Sequence, residues 1–191
     1  MAEVLLFHHA HGLTRGVREF ADRLREAGHT VHLPDLYEGQ VFDTLDEGVE
    51  YAQGIGFDTL LDRGKAAADG LPADLVYAGF SLGVMPAQAL AQTRPGAKGA
   101  LLFHACVPAS EFGGWPADVP VQIHAMEADS IVVEDGDLDA ARALVAENPR
   151  AELFLYPGDA HLFADPSLPS YDEPAATLLT TRVLEFLAAV S

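Results

Sequence analysis

The stretch Leu75-Val76-Tyr77-Ala78-Gly79-Phe80-Ser81-Leu82-Gly83 decides the reading of this chain, because an apolar run ends abruptly at a serine with a glycine two residues to either side. The G-x-S-x-G spacing suits a strand that turns into a helix within about one residue, leaving the serine in a strained conformation with its hydroxyl proud of the sheet. Glycines on both sides remove the Cβ atoms that would collide across so tight a turn. Ser81 would then sit at a helix start, where free N–H groups and the positive dipole end favour a developing negative charge. The plainer alternative is an ordinary strand–helix loop capped by Ser81.

Outward from this stretch, strand and helix patterns alternate. Glu3 to Phe7 is apolar after its first residue, as in a strand covered on both faces. A histidine-rich loop, His8-His9-Ala10-His11-Gly12, follows. Thr14 is a candidate N-cap for a helix carrying Val17, Phe20, Ala21 and Leu24 at helical spacing and ending at Gly28. Thr30 to Leu33 reads as a second strand, so the first unit is βαβ with parallel pairing. From Tyr37 to Gly70 the pattern is broken by Gly48, Gly54, Gly56 and Gly64, which predicts two short or irregular helices. Asp74 to Ala78 is the strand before the serine and Leu82 to Gln92 the helix after it, with Pro86 early enough to be tolerated. Ala100–Phe103, Val121–Ala125 and Glu152–Tyr156 complete the strands. Helices are expected over about 138–147 and 174–189. The expected fold is α/β: a mostly parallel sheet of about six strands with helices on both faces, in one domain spanning residues 1–191.

Composition bounds the rest. Hydrophobic residues are 49% and charged residues 21%, ordinary for a chain that folds. The formal charge of −18 repels phosphates and anionic lipid, so neither nucleic acid nor a membrane surface is an expected partner. One cysteine, Cys106, excludes an internal disulfide and reads as a small buried hydrophobe. The N-terminus lacks the basic region of a signal peptide, and the expected location is cytoplasmic. The expected partner is a small-molecule substrate, with the protein a monomer or a homodimer.

In an open α/β sheet, functional groups gather beyond the carboxyl ends of strands. Two loops there carry candidates: Met126-Glu127-Ala128-Asp129 and Tyr156-Pro157-Gly158-Asp159-Ala160-His161. Ser81 needs a base, and His161 is placed to take its proton and return it to a leaving group, while Asp129 fixes the imidazole tautomer. Asp135, Asp137, Asp159 and Glu127 compete with Asp129 for that role. Asp129 is preferred because it lies about four residues past its strand, whereas Asp135 and Asp137 suit the start of the next helix.

Taken together, these motifs resemble the dienelactone hydrolase family of α/β-hydrolases, whose chain order is also Ser, Asp, His. The resemblance rests on His8-xxx-Gly12-Leu13-Thr14, Pro34-Asp35-Leu36-Tyr37, Gly79-Phe80-Ser81-Leu82-Gly83, Asp129, and Tyr156-Pro157-Gly158 through His161-Leu162-Phe163-Ala164-Asp165 to Ser170-Tyr171. It implies an α/β-hydrolase fold and a cofactor-free hydrolase of small esters or lactones working through an acyl-Ser81 intermediate. It also implies an oxyanion hole made by the backbone N–H groups of Ala10 and Leu82, with His9, His11, Phe80 and Phe163 as pocket candidates. The chain departs from the family in three places. Ser81 replaces a cysteine nucleophile, His9 replaces a glutamate, and Asp165 replaces an arginine that holds a substrate carboxylate. The family's N-terminal strands are expected to be missing. Reversal of charge at Asp165 predicts a preference for neutral substrates, unless Arg15 or Arg63 reaches the pocket.

Three other readings stay open at this level. The fold could serve as a non-catalytic binding protein, or the triad could run an acyltransferase. His8, His9 and His11, with His104 or His124, could ligate a metal, although such tightly spaced histidines seldom converge and no metal is expected. His29 and His32 read as ordinary residues at a helix end and a strand end.

Overall fold

A strand buried on both faces must be apolar throughout, and Val4-Leu5-Leu6-Phe7 is wholly buried, with Val4 and Leu6 joining one core and Leu5 and Phe7 the other. The computed structural model describes residues 1–191. The strands are β1 (Glu3–Phe7), β2 (Thr30–His32), β3 (Val76–Phe80), β4 (Gly99–Phe103), β5 (Val121–Met126) and β6 (Ala151–Tyr156). They form one sheet in the order β2-β1-β3-β4-β5-β6, with every pair parallel.

Helices cover both faces. On one side α1 (Arg15–Glu26) and α7 (Glu173–Val190) pack on the strands through Phe20, Leu24, Leu179, Val183 and Leu187. On the other side lie α2 (Leu45–Ile55), α3 (Phe57–Ala66), α4 (Val84–Thr93) and α6 (Asp137–Glu147), packing through Ala52, Leu60, Leu90 and Leu144. A five-residue α5 (Ser130–Glu134) lies between β5 and α6. Sheet order runs outward in both directions from the β1–β3 pair. That makes the gap beyond their carboxyl ends the place where a ligand site forms in such a sheet.

The structure refines the expected elements. Segment 37–70, where two short or irregular helices are expected, holds two helices, α2 and α3, and both are regular. They are separated only at Gly56, whose φ of 94° ends one and starts the other. The loop Met126-Glu127-Ala128-Asp129 leads directly into α5, a short helix that the pattern does not announce. No helix is long and apolar enough to cross a membrane.

Candidate active site

The turn after β3 fits the spacing quoted above. Ser81 has φ of 48°, a left-handed conformation costly for a residue with a Cβ, and Ser81–Gly83 form a single 3-10 turn leading into α4. Both glycines are sterically required. A Cβ on Gly79 would lie 2.1 Å from the carbonyl oxygen of Gly83, and one on Gly83 would lie 2.6 Å from the carbonyl oxygens of Phe7 and His8. The start of α4 therefore packs directly against the loop that follows β1.

Three side chains from different loops meet here. His161 Nε2 lies 2.9 Å from Ser81 Oγ, and its Nδ1 lies 2.6 Å from Asp129 Oδ2. A carboxylate only accepts, so Nδ1 carries the proton and Nε2 presents its lone pair to the serine hydroxyl. Asp129 is 1% exposed, and its other oxygen accepts the Ile131 N–H at 3.1 Å, capping α5. The helix-start role assigned from sequence to its neighbours thus also belongs to Asp129, and the cap fixes the carboxylate that faces His161.

The loop after β1 is held from several sides. His8 Nε2 accepts the Leu36 N–H at 3.0 Å, so its Nδ1 donates to the His9 carbonyl at 2.8 Å, and Gly12 N–H donates to that same carbonyl at 3.0 Å. His11 Nδ1 donates to the Phe42 carbonyl at 3.0 Å. From the outside α2 presses in at Gly48, where a Cβ would fall 2.0 Å from the Ala10 carbonyl oxygen. Ala10 N–H meets no protein acceptor. Leu82 N–H belongs to the first turn of the segment after Ser81, where helices leave N–H groups without intrahelical partners. Both are donors available to an anionic oxygen.

The two departures at positions 9 and 165 are one contact. His9 Nε2 donates to Asp165 Oδ2 at 2.8 Å, Thr14 Oγ1 donates to the same oxygen at 2.6 Å, and Ser167 N–H and Oγ donate to Oδ1 at 2.8 and 2.6 Å. Gly16 is required beside them, since a Cβ there would overlap Asp165 Oδ1. Burial alone would raise the Asp165 pKa, but the donors from His9, Ser167 and Thr14 outweigh it and bring it to about 2. Asp165 thereby ties the histidine loop, the start of α1 and the loop bearing His161 together. It is 2% exposed and saturated with donors, so the repulsion of anionic substrates expected from it is corrected: its charge is held inside the protein.

Of the candidate pocket residues, only His11 lines a cavity beside the serine. His9, Phe80 and Phe163 are at most 1% exposed and belong to the interior. That pocket, of about 290 Å³, is walled by His11, Leu45, Leu162, Leu168, Pro169 and Ser170 next to His161. A larger depression of about 850 Å³ lies at the opposite end of the sheet, around Asp74, Lys98 and Pro120, remote from Ser81.

His104, raised from the sequence only as a possible metal ligand, packs beside this site. It follows β4 with φ of 64°, is fully buried, and packs its ring 4.7 Å from that of Phe163 and 5.9 Å from that of His161. Neither of its ring nitrogens, nor His9 Nδ1, finds a partner in the protein. Burial holds His104 well below the ordinary imidazole pKa and lowers His8 to about 4 and His124 to about 3. The His104 ring beside His161 is therefore neutral. The rings of His8, His9 and His11 point to Leu36, Asp165 and Phe42 respectively, and no group of three metal-type side chains converges. Cys106 is buried, with its thiol pushed up to about 12 by burial, and so has little thiolate to offer.

The dienelactone hydrolase family model matches residues 1–191, the whole length of the chain. The chain belongs to the dienelactone hydrolase family. Similar solved structures include one named m3DLH, with 23% identity, TM-score 0.79, and 99% of this chain matched to 86% of that one. The dienelactone hydrolase-like promiscuous phosphotriesterase P91 from metagenomic libraries matches at 20% identity and TM-score 0.76, over 100% of this chain and 87% of that one. Thermogutta terrifontis esterase 2, in a form phosphonylated by cyclosarin, matches at 18% identity and TM-score 0.69, over 100% and 83%. No curated protein matches the chain significantly. At these identities the structural likeness speaks for an α/β-hydrolase fold. In this dienelactone hydrolase family member the six-stranded parallel sheet and the loops at its carboxyl end carry that fold.

Proposed function

We propose that this family hydrolase cleaves small carboxylic esters or lactones through a covalent acyl-Ser81 intermediate. The observation that carries the reading is the chain of contacts from Ser81 Oγ to His161 Nε2 at 2.9 Å and from His161 Nδ1 to Asp129 Oδ2 at 2.6 Å. Ser81 Oγ attacks the substrate carbonyl carbon as His161 Nε2 takes its proton. The carbonyl oxygen becomes an oxyanion received by the N–H groups of Ala10 and Leu82. Collapse of the tetrahedral intermediate breaks the bond to the alkoxy oxygen, which leaves with the proton from His161. Water then attacks the acyl-enzyme, with His161 again taking the proton, and the carboxylic acid departs. Throughout, Asp129 holds Nδ1–H and stabilises the imidazolium. Nothing in this sequence calls for a cofactor.

Thermogutta terrifontis esterase 2, solved in a form phosphonylated by cyclosarin, supports nucleophilic chemistry on this fold, and the 2.9 Å contact supports it at Ser81. The test is Ser81→Ala assayed against a panel of short esters and lactones. The reading expects a loss of about 10⁴-fold or more in kcat with unchanged folding, because the acyl bond cannot form. Activity within about tenfold of wild type would refute it.

A further inference from the structure

Resting on the ester-cleaving reading above, we propose that the pocket beside His161 selects for an uncharged substituent, so that the preferred substrates are neutral esters or lactones with a small apolar group. Four of its walls are apolar: Leu45, Leu162, Leu168 and Pro169. The only other side chains there are His11, Ser170 and the base itself, and no Lys, Arg, Asp or Glu lines it. At about 290 Å³ it holds roughly ten water volumes, which suits a short acyl or alkoxy group.

Neither Arg63 nor Arg15 supplies the pocket with a cation. The Arg63 guanidinium donates to the Leu36 carbonyl at 2.8 Å and to Glu38 at 3.3 Å. Arg15 lies outside, 74% exposed, beside Glu19. The residues that flank Leu45 in sequence supply no cation either, since Asp43, Asp46 and Glu47 are exposed carboxylates. A substrate carboxylate seated here would lose water and gain no cation, whereas an apolar group gains burial. His11 adds the orienting polar contact. Its Nδ1–H is committed to the Phe42 carbonyl, and its Nε2 has no protein partner and is not among the sealed ring nitrogens. This basis for neutrality is independent of Asp165, whose charge is turned inward.

The experiment compares kcat/KM for matched nitrophenyl esters that differ only in a free or a methyl-capped carboxylate, placed in one pair on the acyl chain and in another on the alcohol. Each pair is run at about pH 6 and at about pH 8. The proposal expects the capped ester to be favoured by about tenfold or more in at least one pair. Leu168→Arg should move that ratio toward the anion by about tenfold or more. Equal rates in both pairs, or preference for the free carboxylate, would overturn the proposal and leave the esterase reading standing. Failure to cleave any of the esters, together with failure of a fluorophosphonate to modify Ser81, would overturn both.

Discussion

Asp165→Asn keeps the outline of the side chain and removes its charge. In the native protein four donors converge on two carboxylate oxygens: His9 Nε2–H and Thr14 O–H on one, Ser167 N–H and O–H on the other. An asparagine offers one carbonyl oxygen and an NH2 group. If its oxygen keeps Ser167, its NH2 faces Thr14, whose Oγ1 already accepts the Val17 N–H, and His9. His9 can then accept only by moving its proton to Nδ1, a sealed atom with no partner. Two magnitudes frame the loss. Exchanging charge-assisted for neutral hydrogen bonds is worth about 1 kcal/mol each, hence about 4 kcal/mol for four. Independently, a carboxyl displaced from 3.8 to about 2 corresponds to about 2.5 kcal/mol of stabilisation. The variant should thus lose about 2.5–4 kcal/mol, a large part of what a domain of this size has. Because the folded pKa is depressed, this stabilisation is fully present above the unfolded value of 3.8 and disappears as pH falls toward 2. Urea unfolding of both proteins near neutral pH reads the difference directly. A loss below about 0.5 kcal/mol would show that the cluster around Asp165 holds the three loops less firmly than described.

Buried neutral histidines make the fold acid-labile. His8, His9, His104 and His124 have pKa values lowered by burial, so the unfolded chain takes up protons first as pH falls below about 6.5. Stability should fall by about 1.4 kcal/mol per pH unit for each, and a flat urea midpoint between about pH 6.5 and 4.5 would contradict the burial of these rings. Asp137 behaves oppositely: burial, aided by Asp135 and Asp129, lifts its carboxyl to about 6. Its raised pKa favours folding only while it is protonated, so Asp137→Asn should stabilise by roughly 1–2 kcal/mol above pH 6 and not near pH 4, as melting curves at the two pH values would reveal. His161→Ala combined with Ser81→Ala should be no slower than either alone, because the groups act as a unit, and additive losses in kcat would separate them.

The strands and the serine turn were legible because each obeys a local rule. β1, β3 and β4 are buried on both faces and read as apolar runs, β5 keeps apolar residues around the buried Gln122 and His124, and the glycines around Ser81 answer to contacts within or beside their own turn. The regularity of helices α2 and α3 is obscured in the sequence by glycines that look like breakers. Only Gly56 breaks anything; Gly48 lets α2 approach the Ala10 carbonyl, and a Cβ on Gly64 would fall 2.3 Å from Pro86 Cβ on α4. Close packing and chain termination use the same residue, and sequence alone does not separate them. The His9–Asp165 contact joins residues 156 positions apart. Each was visible as an unusual residue, but nothing local says that one satisfies the other. The carboxylate was therefore read as facing substrate when it faces the protein. The sequence offers His104 only as a possible metal ligand, because its packing against Phe163 and His161 follows from the fold.

The central claim is that Ser81 is an activated nucleophile, and covalent labelling by a fluorophosphonate measures that directly. Peptide mass spectrometry should find one adduct per chain, on the peptide containing Ser81, with labelling slowed by about 100-fold or more in His161→Ala, where no base takes the serine proton. A wild-type protein that stays unlabelled, or one whose His161→Ala variant labels equally fast, would contradict the account.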